Sequence, residues 1–195
     1  MKALSLALIC SLLCVGCTPP QYLLVPSGVT RVGASRLQVN SGIPWNRVPF
    51  AEDQRRWEVV WTQNGPMLDV LSLVGGLPEG ETIIQSYDDD AVQVPTFHSD
   101  MSSGDLVSMI QSSYQARGIT KFDVEPPMPT EFLGGDGVRF AFQYKPEDGA
   151  SRKGVCVMRT VDKKFYALTL DAESTHYFGV LLPEFEKLVV SATLR

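Results

Sequence analysis

The chain has 195 residues, 44% of them hydrophobic and 20% charged, which is the makeup of an ordinary globular domain and not of a disordered segment. Its formal net charge of −5 comes without a polybasic cluster, which argues against a nucleic-acid surface or charge-driven adhesion to anionic lipid. Three of the four cysteines, Cys10, Cys14 and Cys17, fall near the N-terminus, so the lone Cys156 predicts a domain without an internal disulfide.

Lys2 precedes an apolar run over residues 3–15 broken only by two serines, and Gly16 and Cys17 close it. A cation, an apolar stretch of this length and a small residue are what export machinery recognises. The run is too short for a membrane span, since roughly 30 Å of hydrocarbon needs about 20 apolar residues. The string Leu12-Leu13-Cys14-Val15-Gly16-Cys17 resembles the bacterial lipoprotein signal, the lipobox, with Cys14 standing where leucine is usual. The resemblance implies that residues 1–16 are a signal peptide. It also implies that Cys17 is the lipid attachment site, receiving a diacylglyceryl thioether and becoming the first mature residue. Thr18 replaces the aspartate that retains such lipoproteins in the inner membrane, which implies the outer membrane and a domain facing the periplasm. The other reading is an ordinary secretory cut near Gly16 with Cys17 left as a free thiol. Pro19, Pro20, Pro26, Gly28 and Gly33 predict that residues 17–35 are a lipidated N-terminus and flexible tether.

Beyond the tether, residues 36–40 alternate and predict a first strand. Trp45 follows in a Gly/Pro-bounded loop and is a candidate for lining a binding face, whereas Trp57 and Trp61 read as core. Trp57, Val59 and Trp61 share one face of a strand, Gln63-Asn64-Gly65-Pro66 turns, and residues 67–74 return, with the glycines of 75–80 ending the hairpin. Residues 81–101, with Asp88-Asp89-Asp90 and Pro95, read as a loosely packed crossover. Ser102 and Asp105 form a capping-box-like start for a helix over residues 102–115, with Leu106, Met109, Ile110 and Ser113 or Tyr114 on one face and Arg117-Gly118 closing it. Strands are predicted over residues 119–124, 137–145, 154–161 and 164–170, joined by short polar turns as an antiparallel meander. An apolar helix over residues 182–190 closes the chain. Pro183 fits its first turn, Phe185, Leu188 and Val189 face inward, and Glu184, Glu186 and Lys187 face outward; residues 175–181 read as a separate helical turn.

The pattern is α+β, a central antiparallel sheet with helices packed on it. In its order of elements and its closing run Phe185-Glu186-Lys187-Leu188-Val189-Val190-Ser191, the chain over residues 36–195 resembles the PsbP-like fold family. The resemblance implies one globular domain built as an α/β/α sandwich. Family members mostly bind and scaffold, so it also implies a non-enzymatic role, although none of their binding residues matches a position here.

The chemistry-bearing side chains agree with that. His98 and His176 are the two histidines, and neither begins a metal-binding pair, so no metal site is expected. His98, Asp100 and the Asp88–Asp90 run lack the spacing of a calcium loop. No nucleophile elbow is present, and Gly134-Gly135-Asp136-Gly137 precedes a strand, where a phosphate loop needs a helix. Glu52/Asp53 and Asp171/Glu173 are the carboxylate pairs available for acid–base work, and Cys156 sits in an apolar run as a buried thiol would. No catalytic residue and no cofactor is expected. The sequence thus predicts an outer-membrane lipoprotein that binds or scaffolds, with membrane lipid as partner through Cys17 and another envelope protein as a second partner. A hydrolase with a site assembled from scattered residues is the alternative.

Overall fold

Alternating apolar residues between tight turns set the sheet, and two amphipathic segments supply its covers. The computed structural model describes residues 21–49, 54–85, 93–147 and 149–195. In chain order its elements are β1 (Leu23–Val25), β2 (Gly28–Arg31), β3 (Leu37–Ser41), β4 (Trp45–Arg47), β5 (Glu58–Thr62), β6 (Asp69–Pro78), α1 (Ser103–Ala116), β7 (Phe122–Val124), β8 (Met128–Phe132), β9 (Gly135–Tyr144), β10 (Arg152–Val161), β11 (Lys164–Glu173), α2 (Tyr177–Ser191) and β12 (Thr193–Leu194). Among the described residues, nine strands form one sheet in the order β1-β4-β5-β6-β11-β10-β9-β7, with β8 paired to the other end of β9. A small second sheet joins β12, β3 and β2. The chain is α+β: a mostly antiparallel sheet with two helices packed on it.

Turn chemistry fixes the register of the central strands. Asp162 and Lys163, at φ 50° and 56°, make the two-residue link between β10 and β11, and Leu133 and Gly134, at 51° and 73°, link β8 to β9. Two central residues at positive φ are what a tight hairpin with native strand twist requires. On the far side of β11 the ladder to β6 slips between Phe165 and Tyr166. Gly76 lies at that slip with φ +88°, and the Tyr166 hydroxyl comes within 3.1 Å, and its ring within 3.3 Å, of where a Cβ would stand. Only glycine meets both demands.

Each face of the sheet carries its own core. On one, Trp45, Val59, Trp61, Leu71, Leu73, Val155, Val157, Leu168 and Leu170 pack against Leu181, Phe185, Leu188 and Val189 of α2. On the other, Val74, Phe140, Phe142, Cys156, Met158 and Ala167 pack against Leu106, Val107, Met109 and Ile110 of α1. The capping box of α1 forms as predicted: Ser102 Oγ accepts from the Asp105 amide, and the Asp105 carboxylate accepts from the Ser102 amide at 2.9 Å.

Several expectations need correction. The tether predicted over residues 17–35 is ordered from β1 onward, because Leu23–Val25 pairs with β4 and Gly28–Arg31 with β3. Trp57 does not share a face with Val59 and Trp61; it precedes β5 and packs in the α1-side core, its indole N–H donating to the Thr82 carbonyl. The return strand runs on through Gly75 and Gly76 to Pro78, since the slip absorbs the glycines without ending the ladder. The described parts of the 81–101 crossover are pinned by buried Ile83, Ile84, Val94 and Phe97. β8 forms in and beyond the proline-rich stretch that follows β7, where Pro129, lacking an N–H, sits on a strand paired on one side only. Residues 175–181 do not form a separate turn: α2 is continuous from Tyr177, with Pro183 inside it. The ring leaves the Gly179 carbonyl without its helical donor, and Gly179 is exposed to water there. Glu184 points inward, where it accepts from the Ser41 hydroxyl at 3.1 Å and from the Gly42 amide.

Candidate functional site

α1 covers only part of its face of the sheet. It ends at Ala116, and beyond it the same face presents Val60, Val70, Ser72, Tyr144, Arg152 and Asp171 to a cleft of about 530 Å³. Four connections build the rim: Val48 and Pro49 after β4, Pro66 and Met67 between β5 and β6, Arg117 and Ile119 after α1, and Pro146 with Ala150 between β9 and β10. The walls are apolar and the volume falls within the roughly 300–1,000 Å³ of small-molecule sites.

The floor is polar, and strand register puts it together. Arg152 stands opposite Tyr144 on β9, while Asp171 on β11 stands opposite Val70 on β6. Arg152 Nε donates to Asp171 Oδ1 at 2.7 Å, and its two terminal nitrogens donate to the carbonyls of Met67 at 2.7 Å and Asp171 at 2.9 Å. The Tyr144 hydroxyl donates to Asp171 Oδ2 at 2.6 Å. Burial pushes the Asp171 carboxyl above the usual carboxylate range, against the opposing pull of Arg152 and Tyr144. Burial also opposes the charge on Arg152, but Asp171 outweighs it, and the guanidinium is held above its ordinary pKa. The hydroxyls of Tyr114 and Tyr144 are pushed up by burial first and by the Asp171 charge second, so both stay protonated.

A second pair closes the α1 side. Arg117, the C-cap of α1, donates to Glu58 Oε2 at 3.0 Å, and Ser72 Oγ donates to Glu58 Oε1 at 2.7 Å. Glu58 is buried on β5, and Gln54 Nε2 donates to its carbonyl at 2.8 Å. The floor therefore holds two guanidiniums against two carboxylates, each charge with its partner within hydrogen-bond reach. Buried charge requires such partners.

Of the residues singled out from sequence, only Asp171 reaches this site, as one half of an ion pair. Glu173 points elsewhere: it is half-buried at the end of β11, and its carboxylate accepts from the Thr175 and His176 amides at the start of α2. Trp45 lines no cleft but is buried beside Trp61, its indole N–H donating to Ser41 Oγ at 2.9 Å. Cys156 is fully buried beneath α1, and burial pushes its thiol up to about 12. His98 meets Glu79 at 3.1 Å on the surface, His176 packs edge-on against Tyr177, and no cluster of three metal-type ligands occurs among the described residues. Cys17 and the leader, Glu52/Asp53 and Asp88–Asp90 lie outside the described residues. Glu58, Arg117, Tyr144 and Arg152 were not anticipated. Two of them carried a signal: once the β9–β10 turn is placed, Arg152 must face Tyr144.

The backbone path has known counterparts. The solution structure of cyanobacterial PsbP (CyanoP) from Synechocystis sp. PCC 6803 superposes with a TM-score of 0.54 at 13% identity, covering 93% of this chain and 97% of that one. The fold is PsbP-like. A looser likeness, with a TM-score of 0.42 at 12% identity, joins 89% of this chain to 91% of LpqN, described as involved in cell envelope biogenesis of Mycobacterium tuberculosis. No family profile and no curated protein matches the sequence. Among the described residues, no helix of this PsbP-like chain is long and apolar enough to cross a membrane.

Proposed function

We propose that this chain is an outer-membrane lipoprotein, held by acyl chains on Cys17, whose periplasm-facing domain binds a ligand in the cleft without transforming it. The cleft floor carries the binding part of this reading. Asp171 is engaged by Arg152 and Tyr144, and Glu58 by Arg117 and Ser72, so neither carboxylate is poised as a base or nucleophile toward a bound molecule. Fully partnered polar networks of this kind rigidify the surface they form. The lipobox string supports the anchor, and several acyl chains at ~0.8 kcal/mol per buried methylene make such a hold effectively permanent.

Two measurements test it. Mass spectrometry of the membrane-extracted protein should find a diacylglyceryl group on Cys17, and Cys17→Ser should move the chain to the soluble periplasmic fraction. A wild-type chain that fractionates as soluble would end the anchor reading. For the cleft, esterase, peptidase and glycosidase substrates should be left intact while a small-molecule screen of the Cys17→Ser chain yields a ligand lost on Val70→Asp. Turnover abolished by a change at Asp171 or Glu58 would replace binding with hydrolysis.

A further inference from the structure

The entry side of the cleft is set by where the anchored end of the chain joins the sheet. Among the described residues β1 is an edge of the large sheet, and it pairs with β4 so that Leu24 faces Asn46 and Leu23 faces Arg47. One step further along this register Tyr22 stands across from Val48, a residue of the cleft rim. Val48 in turn bonds to Val60, its amide donating to the Val60 carbonyl at 2.8 Å, and Val60 pairs with Ser72 on the floor. Tyr22, Val48 and Val60 thus form one apolar row running from the sheet edge into the cleft. Tyr22 and Leu24 project on that face because side chains alternate along a strand, and both are exposed, Leu24 at 71%. Exposed Tyr22 and Leu24 together on one face of an edge segment make a patch that water-facing edges normally avoid.

The distance from the anchor decides what covers it. Tyr22 lies five residues after Cys17, and at ~3.3–3.6 Å per residue that chain reaches at most about 18 Å. An acylated Cys17 keeps β1 beside the bilayer surface, where tyrosine and leucine are at home. The floor decides what enters. Its two carboxylates and two guanidiniums balance, so an ionised head group of either sign meets a like charge already paired. Hydroxyl groups, by contrast, add hydrogen bonds to the remaining lone pairs of Ser72, Tyr144 and the carboxylates without disturbing those pairs.

We propose, resting on the anchored-binder reading above, that the cleft takes a single-chain, uncharged lipid from the membrane that holds the protein, with the chain passing over Tyr22, Val48 and Val60 and a hydroxyl-bearing head at the floor. Native mass spectrometry of the Cys17→Ser chain, offered 1-monooleoylglycerol or oleate at equal concentration, tests the head group. The expected result is a one-to-one complex with monooleoylglycerol and at least tenfold weaker binding of oleate. Oleate binding as tightly overturns the proposal. So does undiminished monooleoylglycerol binding in both Val60→Asp and Met67→Glu, the second at an exposed rim position that leaves the core untouched. A different molecule captured in the cleft, with monooleoylglycerol ignored, sinks the lipid and leaves the binder standing. For the route, a nitroxide on Leu24→Cys in the acylated chain on phosphatidylcholine vesicles should relax faster with oxygen than with a water-soluble nickel chelate, Cys156 being too buried to label. The reverse order, or broadening from a second copy paired along β1, overturns the bilayer contact. An unmodified Cys17 in the same sample would instead mark the failure of the anchor.

Discussion

The two faces of the sheet use similar residues and end in different places. On the α2 face the cover is complete: Trp45, Trp61, Leu71, Leu168, Leu170 and Phe185 meet with almost no solvent contact, and the small β12-β3-β2 sheet extends the closure past the helix. On the α1 face the apolar packing is as dense under the helix, but the helix stops at Ala116 and the sheet continues. Where cover ends, the strands change from Ala167, Cys156 and Phe140 to Ser72, Asp171, Arg152 and Tyr144. A face sealed by a helix is held by apolar area, whereas a face left open as a cleft is held by polar groups that must satisfy one another. Glu184, a buried charged residue of α2, ties the helix to the β3–β4 loop through Ser41 and Gly42, and Glu186 ties it to Arg139 of β9.

The sharpest way to separate the faces is to remove one group from each. Phe185→Ala on the sealed face should cost about 3–5 kcal/mol in urea unfolding, since the ring leaves a cavity that α2 cannot collapse into. Arg152→Met on the open face should cost a comparable ~3–5 kcal/mol, because it strands the Asp171 carboxylate in a buried site. The difference lies in rescue. Adding Asp171→Leu to Arg152→Met should restore most of the loss, as exchange of a whole buried pair for apolar groups is often neutral. No restoration would mean that Tyr144, left without its acceptor, and not the charge, sets the cost.

This contrast also decides what the sequence revealed. The α1 cap and stripe, the three-strand meander and the inward Phe185, Leu188 and Val189 are local or periodic features, and the helix over residues 102–115 and the strands over 137–145, 154–161 and 164–170 were legible for that reason, although β10 begins earlier, at Arg152, and β11 runs on to Glu173. β8 was missed because Pro126, Pro127 and Pro129 mask a strand that, among the described residues, pairs on one side. Glu184 was missed because a charge in the apolar stretch of a helix reads as solvent-facing until the Ser41–Gly42 loop is seen beneath it. The cleft was only half legible. Arg152, Tyr144 and Asp171 follow from counting along two hairpins, but Glu58 and Arg117 are 59 residues apart and meet only because the C-terminal end of α1 comes within reach of β5. No local pattern encodes that.

A smaller change tests how firmly α1 frames the cleft. Ser102→Ala removes the hydroxyl that accepts from the Asp105 amide and should cost about 1 kcal/mol. The effect should be felt at the far end as well. Loosening α1 weakens the hold of Arg117 on Glu58, so ligand affinity at the cleft should fall by a few fold while the α2 side keeps its hydrogen-exchange protection. Equal loss of protection on both faces would show that the two cores unfold as one unit and that the contrast is one of shape alone.

The smallest expected effect separates two carboxylates on the same strand. Glu173 sits at the end of β11, two residues past Asp171, yet its hydrogen bonds from Thr175 and then His176 hold it down at about 2 from an ordinary value of 4.5, while burial moves Asp171 the other way. A depressed carboxyl contributes stability that is present above its unfolded pKa and lost as pH falls toward the folded one. The Tm gap between the wild-type chain and Glu173→Gln should therefore be constant from pH 7 to about 5 and close as pH drops from 4.5 towards 2. Asp171, raised in the fold, contributes in the opposite sense, its share being lost as pH rises through its folded pKa. Comparing two chains that both keep Asp171 cancels that slope, so the closing gap reports Glu173 alone. A gap that persists to pH 2 would mean that the loss in Glu173→Gln comes from the geometry of the bonds to the Thr175 and His176 amides, and that the carboxylate charge is not what organises the start of α2.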